Sequence, residues 1–340
     1  MLLREQVPLA PYTTFGIGGP ARWLVEATDE ASLVEAVQFA REKGVPLFVL
    51  GGGSNVLVSD EGFPGVVVHV ALRGIDEEGN RFQVAAGENW DDFVSRAVGG
   101  NFAGIECLAG IPGTVGGTPV QNVGAYGQEV AETIASVRVL DRERLSFAEL
   151  PAAECGFSYR RSLFNSTQRD RYIVTRVDYA LTGGAMPAVR YPDVQRAFQD
   201  RRDSPTLAEV AAAVREIRHR KGMLLVEGEP DCRSAGSFFK NPVVEQAQYE
   251  AIAARESSPV PRYPAAPGFV KIPAAWLVEH AGFQKGFVLG RAGLSSRHTL
   301  AVINRGGATA AEIQALRDRV SEEVEECFGI RLEPEPVWVG

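Results

Sequence analysis

The sequence predicts an α+β protein of two or three domains, and three observations lead there. Helical and strand periodicities both recur along the chain. Its 340 residues exceed the roughly 150 of a typical domain by more than twofold. Two dense glycine stretches interrupt the patterned segments, and 21 of the 36 glycines fall before residue 128. Hydrophobic residues at 45 % and charged residues at 23 % exclude disordered, collagenous and coiled-coil classes.

In chain order, the first element is a helix from Thr28 as cap to Gly44 as stop, with Leu33, Val34, Val37 and Ala40 at helical spacing. Strand-like runs follow at Val45 to Leu50 and Val56 to Val58, with Gly51-Gly52-Gly53-Ser54-Asn55 between them. Short strands are expected in VVVHVAL and RFQVAAG, then a helix from Trp90 to Val98 whose Trp90, Phe93, Val94 and Ala97 share a face. The stretch from Gly110 to Gly127 has too many glycines for a helix or a paired strand. Beyond it come SVRVL, then a long strand in which Ile173, Val177, Tyr179 and Leu181 alternate to one side. Ser204 to Lys221 reads as a helix ending in the basic turn Arg215, Arg218, His219, Arg220, Lys221, by default a solvated helix end. Residues 222 to 268 read as irregular and proline-rich. A helix opens at Thr309 with the capping box Thr309–Glu312 and the stripe Ile313, Leu316, Val320, Val324. The closing RLEPEPVWVG offers one short strand.

A net charge of −8 argues against a general nucleic-acid or anionic-membrane binder. No apolar run approaches the roughly 18 residues of a membrane span, and the start MLLREQVPLAPYTTF lacks an export core, so the expected location is cytoplasmic. Cys107, Cys155, Cys232 and Cys327 show no metal-ligand spacing and read as ordinary thiols; no metal is expected.

The loops at 51–55 and 110–117 can each bring backbone N–H groups to a pyrophosphate, because glycine lets the main chain approach closely. The dinucleotide fingerprint of strand, G-x-G-x-x-G and helix is absent. Gly51 to Gly53 lead into another strand, Gly16-Ile17-Gly18 lacks a glycine at 21, and no G-K-[ST] exists.

The words GGGSNVLVSD, GIPGTVGGTPVQNVGAYGQE, FSYRRSLF, AGSFFKNP and LEPE, in that order, closely resemble the UDP-N-acetylenolpyruvoylglucosamine reductase family of peptidoglycan-synthesising flavoenzymes. The resemblance runs from Thr13-Thr14-Phe15-Gly16 to Glu335. It implies a two-domain FAD-binding fold of the vanillyl-alcohol-oxidase (PCMH) type plus a third α+β substrate-binding domain. The implied boundaries are 1–65, 66–221 and 222–328, with 329–340 returning to the active site. FAD is expected to be non-covalent, since no histidine stands near the first loop, and NADPH is the expected co-substrate. The expected partners are UDP-N-acetylglucosamine enolpyruvate and NADPH, and the expected state is a monomer.

Carried over by position, the resemblance lays FAD along Gly51, Gly52, Gly53, Ser54 and Asn55, and along Gly110, Ile111, Pro112, Gly113, Thr114, Gly116, Gly117, Gln121, Asn122, Gly124, Ala125 and Tyr126. It implies Arg160, Ser237 and Glu335 as catalytic, and Tyr159, Tyr191, Lys221 and Asn241 as substrate contacts. Arginine offers a planar fork to a carboxylate, serine a proton, and Glu335 a second group at the carboxylate end. Glu333 is the alternative if the last strand slips in register. Taken singly, each has an ordinary reading: a surface arginine, a turn serine, an acid in an acidic tail. A sugar or alcohol oxidase of the same fold and a flavin-binding module without turnover are the competing readings. AGSFFKNP speaks against the first, and the presence of Arg160, Ser237 and Glu335 against the second.

Overall fold

The computed structural model describes residues 1–340, and the chain divides into two compact units. The larger comprises Met1–Pro8, Pro20–Gly53 and Phe63–Arg220; the smaller comprises Leu9–Gly19, Ser54–Gly62 and Lys221–Gly340.

Two sheets build the larger unit. The first runs Leu3–Pro8, Pro20–Ala27, Phe63–Val70, Leu47–Leu50, antiparallel at its outer pair and parallel elsewhere. Its parallel strands are joined by the helix Glu30–Lys43, as a parallel crossover requires. Asp29, rather than Thr28, caps that helix by accepting the Ser32 N–H at 2.7 Å, and Gly44 ends it at φ 64°. The second sheet is wholly antiparallel, in the order Ser146–Pro151, Ile134–Asp141, Tyr172–Ala180, Arg81–Ala85, Ile75–Glu78. One core lies within this unit, and Trp90, Phe93, Val94, Ile173, Val177 and Tyr179 are all buried in it.

The helix expected from Ser204 starts instead at Leu207 and runs to Arg220. The cause is local. Thr206 and Glu209 bond reciprocally, with Thr206 N donating to Glu209 Oε2 at 2.8 Å and Glu209 N donating to Thr206 Oγ1 at 3.2 Å, so the cap falls after Pro205.

The smaller unit is more ordered than its prolines suggest. Residues 222–268 hold the strands Ser234–Ser237 and Val243–Glu245 and the helix Gln246–Ala253. A four-stranded sheet follows the order Ser234–Ser237, Ala301–Asn304, Ala292–Leu294, Val288–Leu289. The helix Ala310–Phe328 has the Thr309–Glu312 capping box, and its Ile313, Leu316, Val320 and Val324 are fully buried. Its first N–H groups, at Ala310 and Ala311, are also taken by the two carboxylate oxygens of Asp60 at 2.7 and 3.1 Å. The final strand, Val337–Val339, pairs in parallel with Val56–Val58. All four cysteines are free thiols, and no helix is long and apolar enough to cross a membrane.

Candidate active site

In the larger unit the two glycine loops meet. A Cβ on Gly52 would stand 2.6 Å from the Cα of Gly113, and one on Gly51 would stand 2.8 Å from Thr114 Oγ1, so only bare backbone permits this approach. The second loop is laced to the junction before the helix Trp90–Gly99. Trp90 N donates to Gly113 C=O, Val115 N to Glu88 C=O and Gly116 N to Ala86 C=O, at 2.8 to 3.1 Å. The result is a rigid main-chain cradle of the kind that suits a pyrophosphate, so these residues fit FAD.

Gly110 is held at both of its polar groups. Its N–H donates to Asp91 Oδ1 at 2.6 Å, and its carbonyl accepts Arg218 Nε at 3.0 Å. Asp91 also pairs with Arg215 at 2.7 Å. Arg218 corrects the expectation of a solvated helix end, since it is about 5 % exposed. Burial lowers its pKa, while the Tyr126 hydroxyl, which it bonds, and the Asp91 carboxylate oppose that fall. The signal was in the sequence: Arg218 follows Ala211 by seven residues and Val214 by four, on the stripe that buries Leu207, Val210 and Ile217.

Arg160 sits in a tight turn in which Ser158 and Arg161 exchange backbone hydrogen bonds, and it adopts φ 56°. That left-handed conformation costs a non-glycine residue about 1–2 kcal/mol, and such strain collects at functional positions. Its Nη2 donates to the Gly124 carbonyl at 2.9 Å, which ties it to the second glycine stretch. Tyr159 lies beside it, with the guanidinium 5.3 Å from the ring centre. Asn122 is a structural knot. Its Nδ2 donates to Glu129 Oε2 and the Ser158 carbonyl, and its Oδ1 accepts Ala131 N. Tyr126 and Tyr191 meet edge to face at 5.5 Å.

In the smaller unit, Ser237 ends a strand that is bulged between Ser234 and Ser237 against Ile303 and Ala301, with Gly236 at φ 73° inside the bulge. A bulge re-aims the residue that follows it. The Thr14-Phe15 word braces this strand. Thr14 Oγ1 donates to Ser234 C=O at 2.6 Å, and Phe15 packs on Phe238 at 6.3 Å between ring centres. Glu335 N donates to the Phe238 carbonyl at 2.8 Å, so Ser237 and Glu335 lie on adjacent segments. Glu333 is exposed and ion-paired with Lys240. Asn241 Oδ1 accepts Ala274 N at 2.9 Å, at the start of the helix Ala274–His280. Lys221 begins the last and longest segment of this unit and is half-buried.

Residues 229–339 match the family described as UDP-N-acetylenolpyruvoylglucosamine reductase, C-terminal domain, and residues 21–143 match an FAD binding domain. A UDP-N-acetylenolpyruvoylglucosamine reductase of Thermobifida fusca is 45 % identical, covering 99 % of this chain and 98 % of the relative. One of Streptomyces coelicolor is 44 % identical, over 99 % and 90 %. The crystal structure of the Thermus caldophilus reductase of that name superposes with a TM-score of 0.70 at 30 % identity, covering all of both chains. Cradle and matches together define an FAD-dependent oxidoreductase of the PCMH-type α+β fold. The chain belongs to the UDP-N-acetylenolpyruvoylglucosamine reductase family.

Proposed function

We propose that the protein reduces UDP-N-acetylglucosamine enolpyruvate to UDP-N-acetylmuramate with NADPH, as a cytoplasmic monomer serving peptidoglycan synthesis. The observation that carries this reading is the adjacency of the Ser237 and Glu335 segments through the Phe238 carbonyl. Within it, the finer division into domains at 1–65, 66–221 and 222–328, with 329–340 returning to the site, is retained.

Non-covalent FAD, along residues 51–55 and 110–126, would supply hydride transfer from NADPH to C3 of the enolpyruvyl group. Hydride arrival at C3 drives charge through C2 onto the carboxylate, so the protein must neutralise that charge and protonate C2. Arg160 gives a bidentate fork to the carboxylate, which its strained backbone pre-aims. Glu335 shares the same end of the substrate. Ser237 gives its hydroxyl proton to C2, and the bulge at Gly236 fixes where that hydroxyl points. Lys221 approaches the UDP diphosphate, and Asn241, Tyr159 and Tyr191 contact the substrate. Lys240, a candidate to acidify Ser237, has its ammonium engaged by Glu333, which favours Lys221 or an ordered water for that task.

The deciding experiment is anaerobic. Purified yellow protein should bleach with NADPH and regain its colour on addition of UDP-N-acetylglucosamine enolpyruvate. Persistent bleaching rejects the substrate assignment.

A further inference from the structure

A buried polar anchor lies beneath the loop that leads into Tyr191. Glu106, in the short turn Glu106–Leu108, is about 1 % exposed. Its Oε2 accepts Gly104 N at 2.7 Å, and its Oε1 accepts Gln128 Nε2 at 2.9 Å and Ala188 N at 2.8 Å. Gln128 is buried too, and its Oε1 accepts Cys107 N at 2.7 Å. The Cys107 thiol donates to the Ala188 carbonyl at 3.1 Å. Burial, reinforced by the Glu106 carboxylate, pushes that thiol up to about 12, so the sulfur keeps its proton and remains a donor at neutral pH.

Two consecutive residues therefore hold both backbone polar groups of Ala188. A buried carboxylate is tolerable only when donors satisfy it. Three do so here, and one of them belongs to a loop distant in sequence. Three residues on, Tyr191 makes the second fixed point against Tyr126. Between them the loop passes close to Gly127, where a Cβ would stand 3.5 Å from that of Arg190.

We infer that Glu106, assisted by Cys107 and Gln128, is a positioning residue that sets the pose of Tyr191 toward the UDP-sugar. This rests on Tyr191 being a substrate contact, as proposed above. Glu106 acts through the loop, so it governs substrate affinity and leaves the chemical step alone.

Glu106→Met in the holoenzyme removes both acceptor oxygens, so all three bonds are lost, the one from Ala188 N among them. Amide hydrogen exchange at residues 188–191 should accelerate by about tenfold or more while that of Tyr172–Ala180 is unchanged. The KM for UDP-N-acetylglucosamine enolpyruvate should rise by about tenfold, with kcat within about threefold. Cys107→Ala should give a smaller loosening, and Cys107→Ser, which restores a donor, should reverse it. That pair decides the matter if Glu106→Met does not fold. Unchanged exchange at 188–191 overturns the anchor. Faster exchange with an unchanged KM overturns the link to substrate. Failure of colour return in the wild-type protein would instead reject the substrate reading while the exchange result still stood.

Discussion

Asn55 and Glu335, 280 positions apart, are joined by a hydrogen bond from Asn55 Nδ2 to the Glu335 carbonyl at 3.1 Å. The Asn55 carbonyl in turn accepts Val337 N at 2.9 Å. The last residue of the first loop thereby ties down the closing strand, in which Glu335 N meets the Phe238 carbonyl and the Glu333 carbonyl meets Lys240 N. Asn55→Ala should cost about 1 kcal/mol of stability in urea unfolding. It should also slow flavin reoxidation by the UDP-sugar more than bleaching by NADPH. An unmoved unfolding midpoint would show that the contact contributes nothing.

Ser237→Ala isolates the proton transfer. Bleaching by NADPH should stay near the wild-type rate, and reoxidation by substrate should slow by roughly 10²–10⁴, the usual worth of a positioned general acid. Stopped-flow absorbance of the flavin separates the halves. Reoxidation at the normal rate would remove Ser237 from this role.

Arg160→Lys keeps the charge and loses the fork. Reoxidation should fall at least about tenfold while bleaching holds, since a bidentate contact is worth more than a point charge at this position. Equal slowing of both halves would assign Arg160 a structural part, through its bond to Gly124.

Arg218→Met tests the buried cation behind the second loop. The Gly110 carbonyl loses a donor in a buried setting, a loss of about 1–3 kcal/mol. FAD should bind about tenfold or more weakly in a fluorescence titration of the apoprotein. Undiminished FAD affinity would confine Arg218 to packing.

Glu312 carries a pH signature. The N–H groups of Thr309 and Arg291 hold its carboxyl at about 2, below the roughly 4.3 of an unfolded glutamate. A depressed pKa contributes stability above the unfolded value and loses it as pH falls to the folded one. Glu312→Gln should be less stable than wild type at pH 7, and the gap should close between about pH 4.5 and pH 2. Urea midpoints of both proteins at several pH values read this directly.

What was legible in the sequence was what is local. The capping box at Thr309, the helix at Trp90 and the two glycine loops are each specified within a few residues. The basic run Arg215, His219, Arg220 and Lys221 hides the place of Arg218 on an apolar stripe. The strands Leu3–Pro8 and Pro20–Ala27 went unread, and so did those within 222–268, where pairing partners lie far along the chain and single strands are three or four residues long. For the candidate site, motif order proposes Arg160, Ser237 and Glu335, but no short-range pattern marks the Glu106 to Ala188 bond.

The smaller unit draws on residues 9–19 and 54–62 as well as 221–340, and this has a consequence for synthesis. At about 5–20 residues per second on the ribosome, Val56–Val58 leaves the exit tunnel tens of seconds before its partner Val337–Val339 exists. Until residues 238–332 follow, Phe15, Ile17 and Leu57 lack the rest of the apolar core they share. The nascent chain is therefore exposed to misassembly until that much later segment is made.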